Sequence, residues 1–541
     1  MQTYGDALLQ FKRGFLIIGL TGYTGSGCTT ACGILKRDQK PQIPDISDLE
    51  VPLDPVDYDR LTRVWSDLPW RRFINIEVSR TIFMLVVHQA LRFAFSKGPL
   101  AVVRKLSLPR KSDLIGLKLL ADKDVDLKKA NVATRLVLAY KTAGSLYGQF
   151  KKRGGYDLNS FIEAMQDFGD NIRKYGQPWP SSSSTPNPAN IFVLPEAIRR
   201  LIKAYGTAEE ATNFVIDAFR NPYEVEYFKR RYNEFYLVSI NRPFLDRRHA
   251  LSRLQPDFVY RLEKREKGKR ISVKRRENIH NWVTSQNIDE CAQKADYFIQ
   301  NHLDDRKPPH HLRYHLVRLI SLTKYPGCVP PTKDERSMQL AMSARQNSGC
   351  LSRHVGAIVT DNDGYVLGVG WNDPPIGQVP CSLRTAFQLL TNPDENMFSE
   401  YERSPDFVKH IRSRNLGNQP FCFMEELAAL QKGSKEREFT RALHAEENAL
   451  LQATRHGTEA LREAILYTSD SPCTLCAKKA YQLGVSRIVY IEEYPGIAMK
   501  QTLKAGTHSI QIEQFEGATG SAYFDAFTTL LPEKDFLNLY A

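Results

Sequence analysis

Two stretches decide the reading: Arg441–Leu450, "RALHAEENAL", and Tyr467–Ala480, "YTSDSPCTLCAKKA". A histidine, a glutamate two residues later and a Cys-x-x-Cys pair behind a proline make a donor set for a metal. His444, Cys473 and Cys476 offer one nitrogen and two sulfurs, which suits zinc, and three protein ligands leave the fourth tetrahedral position open for water. A structural zinc knuckle would close that position with another Cys or His. Here the next candidate, Glu446, is a carboxylate. An open position implies catalysis.

The local patterns put these groups together. Residues 444–456, "HAEENALLQATRH", and 473–484, "CTLCAKKAYQLG", both read as helices, with "EAILYTSD" (463–470) a strand between them. Two helix N-termini would then present the three ligands side by side. The set matches the H-x-E…P-C-x-x-C signature of zinc nucleobase deaminases, in which the Glu moves protons and holds no metal. On that pattern Glu446 is the catalytic acid/base, and the Ala445 N–H is the partner expected for the carbonyl of the base.

Composition sets the wider frame. A chain of 541 residues is too long for one ordinary core. No apolar run approaches the roughly 18 residues of a membrane span, and "FLIIGL" (15–20) is too short for a signal core and has no cleavage site behind it. A cytoplasmic protein without a membrane partner is expected. Nine cysteines, an odd number scattered along the chain, argue for reduced thiols over a disulfide framework. The net charge of +13 is uneven: residues 331–541 carry 21 Lys+Arg against 26 Asp+Glu, and residues 1–330 carry 53 against 35. The basic half would suit a polyanion, either nucleotides or nucleic acid.

The N-terminal half has its own motif. "FLIIGL" reads as a strand, "TGYTGSGCTT" (21–30) as a glycine loop and "ACGILKR" (31–37) as helix. Gly22, Gly27 and Thr29 fall where GxxxxGK[ST] wants them, with Gly25 inside the loop; backbone N–H groups of such a loop cradle phosphates while the hydroxyl reaches magnesium. The lysine is absent; Cys28 stands in its place. Residues 213–242 add a strand ending in Asp217, a helix and a further strand, the rhythm of a parallel sheet. Long helical patterns at 73–95 and 161–176 are broken off by the loop "QPWPSSSSTPNPAN" (177–190). This half resembles the P-loop nucleotide and nucleoside-phosphate kinases, with Asp217 on their second phosphate-side strand and "RPFLDRRHAL" (242–251) as their arginine-bearing lid. The resemblance implies a nucleotide with Mg2+ bound there, and the missing lysine argues against phosphoryl transfer.

The C-terminal half resembles the deoxycytidylate deaminases. "MQLAMSARQNSGCLSRHVGAIVTDNDGYVLGVGWNDPP" (338–375) is similar to their opening, with Asn372 where they place a sugar-contacting asparagine, and the likeness runs to about residue 515. Trp371 and Asp373 depart from the family pattern, as does the long segment from "IGQVPCSLRTAF" (376–387) to "KEREFT" (435–440). Some members carry a second, structural zinc, and Cys350 and Cys381 lie where two ligands of it would fall; buried thiols are the alternative.

The expected organisation is α/β throughout: a P-loop kinase-like parallel sheet over 1–305, a linker over 306–330, and a cytidine deaminase-like α/β/α sandwich over 331–541. That combination resembles the bacterial anti-phage deoxycytidine-nucleotide deaminases. It implies zinc-dependent conversion of dCTP, dCMP or both to uracil nucleotides in antiviral defence, a homo-oligomer, and inhibition by a small RNA. A housekeeping dCMP deaminase and, further off, a polynucleotide cytosine deaminase are the alternatives. The net acidic deaminase half disfavours the last.

Overall fold

The structure is a computed structural model. It describes residues 14–49, 53–92, 125–153, 158–268, 279–302, 309–431, 439–455, 461–493, 498–506 and 509–529, with a few isolated positions between them. Two compact units emerge: Met1–Pro330 with Phe524–Ala541, and Pro331–Tyr523. Among the described residues no helix is long and apolar enough to cross a membrane.

The first unit is built on parallel strands β1 (Leu16–Thr21), β2 (Ile74–Glu77), β3 (Asn213–Phe219), β4 (Phe235–Asn241) and β5 (Tyr297–Gln300), in the order β5-β4-β1-β3-β2. Every residue of β1 is buried, as expected of a central parallel strand covered on both faces, whose sequence is one apolar run. The helices used below are α1 (Cys28–Leu35), α2 (Val78–Arg92), α3 (Pro222–Lys229), α4 (Phe244–Ala250) and α5 (Pro256–Glu266). The segment from Phe73, read as helical throughout, opens instead as β2 before α2 begins. Its β-branched and alternating start, Ile74-Asn75-Ile76, pairs with β3. From β1 the chain leaves toward the β2 side, and from β3 it crosses to β4. The carboxyl ends of β1 and β3 therefore flank a topological switch point.

The expected linker is different in the structure. Residues 303–308 lie outside the described residues, but His310–Lys324 is a helix, α6, most of whose side chains are buried. Tyr314 and Leu322 pack with Leu49, Leu61 and Ala526 of the same unit. Gly327 N–H also donates to Ala526 O at 2.8 Å. The histidines and prolines at its start hid an apolar helix, and the same contacts explain why the chain from Phe524 groups with the first unit.

The second unit is a mixed sheet, β10-β9-β8-β6-β7, from β6 (Gly356–Thr360), β7 (Val366–Trp371), β8 (Ile465–Asp470), β9 (Arg487–Glu492) and β10 (Gln511–Gln514). β8, β9 and β10 run parallel, and β6 is antiparallel to both its neighbours. Helices α7 (Lys333–Ala344), α8 (Ala445–Thr454) and α9 (Thr474–Gln482) pack on it. α7 starts with a full capping box between Thr332 and Glu335.

The segment after Asp373 folds on a small core of its own, made by Ala386, Leu389, Phe398, Phe407, Ile411 and Phe421. The Arg384 side chain is fully buried there, forked onto Glu402 (Nη2 to Oε1 2.7 Å, Nη1 to Oε2 3.0 Å) and 5.2 and 5.6 Å from the ring centres of Phe398 and Phe421. Residues 435–438 lie outside the described residues.

α8 packs on β7 backbone to backbone. A Cβ on Gly370 would lie 2.2 Å from Ala445 O and 2.3 Å from Ala449 N, and one on Gly368 would lie 2.3 Å from Ala449 O. The two glycines alternate along β7 on the face that meets α8, so helix backbone rests on strand backbone. Gly370→Ala therefore has to lift α8. We expect a loss of about 1–3 kcal/mol of stability in urea unfolding; an unchanged midpoint would contradict this packing.

Candidate metal centre and glycine loop

His444 and Cys473 occupy equivalent places, the N-cap positions of α8 and α9. Their helices share the sheet face beside the β8 terminus, so the turn-opening backbone brings both side chains to one point. His444 Nδ1 lies 3.3 Å from Cys473 Sγ and 3.3 Å from Cys476 Sγ, and the three donor atoms fall within 4.8 Å of one another. In a tetrahedral zinc site, bonds of about 2.0–2.1 Å to nitrogen and 2.3 Å to sulfur separate N from S by roughly 3.5 Å. The observed donor set fits zinc in identity and spacing.

The electrostatics suit a cation. Hydrogen bonding from Cys476 and then from His444 draws the Cys473 thiol down to about 3, while the same bond and burial hold Cys476 well above its usual value. Two helix N-termini add positive potential that favours thiolate.

Glu446, the second residue of α8, is 4% exposed. Burial pushes its carboxyl up to about 7, against a downward pull from His444. The sheet behind it is braced by ions: Arg353 pairs with Asp470 at the end of β8 and, at 3.2 Å, with Glu492 at the end of β9. Ser469 Oγ also donates to Asp470 Oδ2 at 3.0 Å. Sequence reading missed this clamp, because a lone Arg in "LSRHVGA" carries no spacing signal.

Ala445 is fully buried, and its N–H is among the first-turn donors that lack a helical acceptor. Asn372 is also buried, and its amide is turned to the backbone: Oδ1 accepts from Val355 N–H at 2.7 Å and Nδ2 donates to Arg353 O at 2.7 Å. Its observed work is to hold the Arg353–Val355 turn, with the second amide hydrogen left over for another acceptor. The unusual neighbours Trp371 and Asp373 act through their carbonyls. Trp371 O accepts from Asn448 Nδ2 at 3.2 Å and Asp373 O from Leu443 N–H at 2.9 Å, which fixes the approach to His444.

Cys350 and Cys381 are half-buried. Burial raises the nearby Cys422 thiol to about 11, with smaller contributions from a glutamate and from Cys381 and Cys350. Among the described residues, these cysteines do not form the close donor grouping found at His444.

In the other unit the glycine loop joins β1 to α1. Gly27 has φ 116°, and a Cβ there would lie 2.1 Å from Asn301 Nδ2, so only glycine fits. Thr29 Oγ1 donates to Asp217 Oδ2 at 3.0 Å, across the switch point. Cys28 is buried and its thiol is pushed up to about 12, mainly by desolvation and then by Asp217. It is a neutral group where a phosphate loop would hold a lysine.

Comparison with known proteins bears on the second unit. Residues 331–492 match the family model described as the cytidine and deoxycytidylate deaminase zinc-binding region. The deoxycytidylate deaminase of Enterobacteria phage T2 is 32% identical over 159 residues, which is 29% of this chain and 78% of that protein. The chain belongs to the deoxycytidylate deaminase family. It is a zinc-dependent hydrolytic deaminase. The deoxycytidylate deaminase of Schizosaccharomyces pombe is 28% identical over 169 residues, 31% of this chain and 40% of that one. A dCMP deaminase from the cyanophage S-TIM5, solved with dCMP and dUMP, shares 25% identity, with a TM-score of 0.22 over 35% of this chain and 99% of its own.

If the three converging donors hold the metal, His444→Ala and Cys473→Ala should each purify with far less than one zinc per chain by elemental analysis. Full zinc occupancy in either variant would remove that residue from the ligand set.

Proposed function

We propose that His444, Cys473 and Cys476 hold the catalytic zinc and that Glu446 is the proton carrier in the deamination of free dCMP and dCTP. The observation that carries this reading is the convergence of one nitrogen and two sulfurs on one point, with the buried Glu446 carboxyl two residues beyond His444. Bound there, zinc supplies a Lewis acid that makes water nucleophilic near neutral pH. Glu446 accepts the proton of the attacking water and delivers it to the ring nitrogen. Once the water oxygen has bonded to the ring carbon, Glu446 takes the remaining hydroxyl proton and passes it to the amino group, which leaves as ammonia as the C–N bond breaks and the new C–O bond becomes a carbonyl. The first-turn N–H of Ala445 donates to the carbonyl of the base, and Asn372, holding its turn, directs its free amide hydrogen toward the deoxyribose.

The two-unit organisation supports a regulated enzyme. In this reading residues 1–305 bind a nucleotide with Mg2+ through Gly22, Gly25, Gly27, Thr29 and Asp217, and gate the deaminase over 331–541 without transferring phosphate. The basic excess of that half suits an inhibitory small RNA. The protein acts in the cytoplasm as a homo-oligomer, lowering dCTP in anti-phage defence.

The test is ammonia release by the full-length, zinc-loaded chain from dCMP, dCTP, CMP, CTP and single-stranded DNA. Turnover of the deoxynucleotides well above the ribonucleotides is expected, and efficient turnover of DNA would overturn the assignment. Glu446→Gln should keep its zinc while losing turnover on the order of 10²–10⁴-fold. Near-normal turnover in that variant would dismiss the proton-carrier role.

A further inference from the structure

The glycine loop lacks its lysine, yet a cation reaches it from elsewhere. Arg220, the residue after β3, places Nη2 3.0 Å from Thr24 Oγ1 within the loop. Its charge is also felt at Cys28, the position where lysine is missing. Arg220 does not stand alone. Its Nη1 is ion-paired with Glu266, the last residue of α5 and 1% exposed.

Glu266 also reaches the loop itself. Oε2 accepts from Thr24 N–H at 3.1 Å and Oε1 accepts from Thr24 Oγ1. A carboxylate thus sits on a loop N–H, a loop hydroxyl and a guanidinium. That is the donor set that recognises a phosphate oxygen. The cover extends beyond one residue: Arg242 Nη1 donates to Gly25 O at 3.2 Å, and Arg247 of α4 pairs with Glu263 of α5 at 3.4 Å.

We propose that Glu266 is a built-in anion that plugs the glycine loop, and that a phosphate group binds there by displacing it from Arg220 and Thr24. This rests on the reading that the loop binds a nucleotide, and it names Arg220 as the cation in place of lysine. A buried ion pair gains little net stability because each partner gives up hydration. The departing carboxylate recovers its hydration, and a polyphosphate brings more charge to the same donors. Displacement frees the C-terminal end of α5, so ligand binding is signalled to the α4–α5 segment.

The probes are ATP and inorganic tripolyphosphate, titrated calorimetrically into the full-length chain. If the plug is in place nine-tenths of the time or more, Glu266→Gln should tighten tripolyphosphate binding by about tenfold or more, because the binding-competent fraction rises accordingly. The double variant Arg220→Gln/Glu266→Gln, which leaves no buried charge unpaired, should lose that gain. Tightening for both probes assigns the site to nucleotides, and tightening for tripolyphosphate alone assigns it to inorganic polyanions; either supports displacement. Wild-type binding that Glu266→Gln leaves unchanged or weakens overturns the plug while sparing the nucleotide reading. Binding by neither protein overturns both. A second measurement needs no variant: amide exchange in residues 256–266 of the wild-type chain should quicken on saturation with tripolyphosphate, and unchanged or slower exchange there rejects the displacement.

Discussion

The deaminase unit depends on a helix laid against a strand with no side chains between them. Gly368 and Gly370 let the backbone of α8 approach β7 closely enough that any Cβ would collide with Ala445 or Ala449. That contact fixes where α8 begins, and therefore where His444 and Glu446 stand. α9 enters from the far end of β8, where Arg353 ties Asp470 to Glu492. Two rigid placements on one sheet produce a three-atom convergence that no single loop could hold as well.

The same rigidity decides the chemistry. An N-cap position gives His444 and Cys473 extended backbone and puts their donors ahead of the helix, within its positive end. Glu446, two residues on, is carried into the first turn and buried. Burial alone is enough to raise its proton affinity. A single turn of helix therefore contains a metal donor and a group suited to hold a proton near neutral pH.

How much of this was legible in the sequence follows from the length scale of each interaction. The grouping of His444, Cys473 and Cys476 was readable because His-x-Glu and Cys-x-x-Cys are short patterns at the starts of two predictable helices, and the strand–loop–helix around Gly22–Thr29 was readable from an equally local pattern. The burial of α6 was not. "HLDDRKPPHHLRYH" is polar and proline-rich at its start, and the partners that bury the rest, Leu49, Leu61 and Ala526, are far away in the chain. The Arg384–Glu402 pair and the Arg353 clamp were invisible for a related reason, since ion pairs at 18 residues or more leave no periodic trace. The Gly-x-Gly of β7 was in plain sight, and alternation of glycine on one strand face is the signal by which a close helix could have been found. Asn372 was noticed for a sugar contact, whereas its visible hydrogen bonds are to its own neighbourhood.

The central claim is that two helix N-termini hold one zinc through one nitrogen and two sulfurs, with a position left open. Zinc-edge X-ray absorption on the full-length protein carrying one equivalent of zinc tests it most directly. Two sulfurs at about 2.3 Å and two lighter donors at about 2.0–2.1 Å are expected, and the sulfur shell should fall to one in Cys473→Ser. A shell of three or four sulfurs would mean a closed structural site and would contradict the claim.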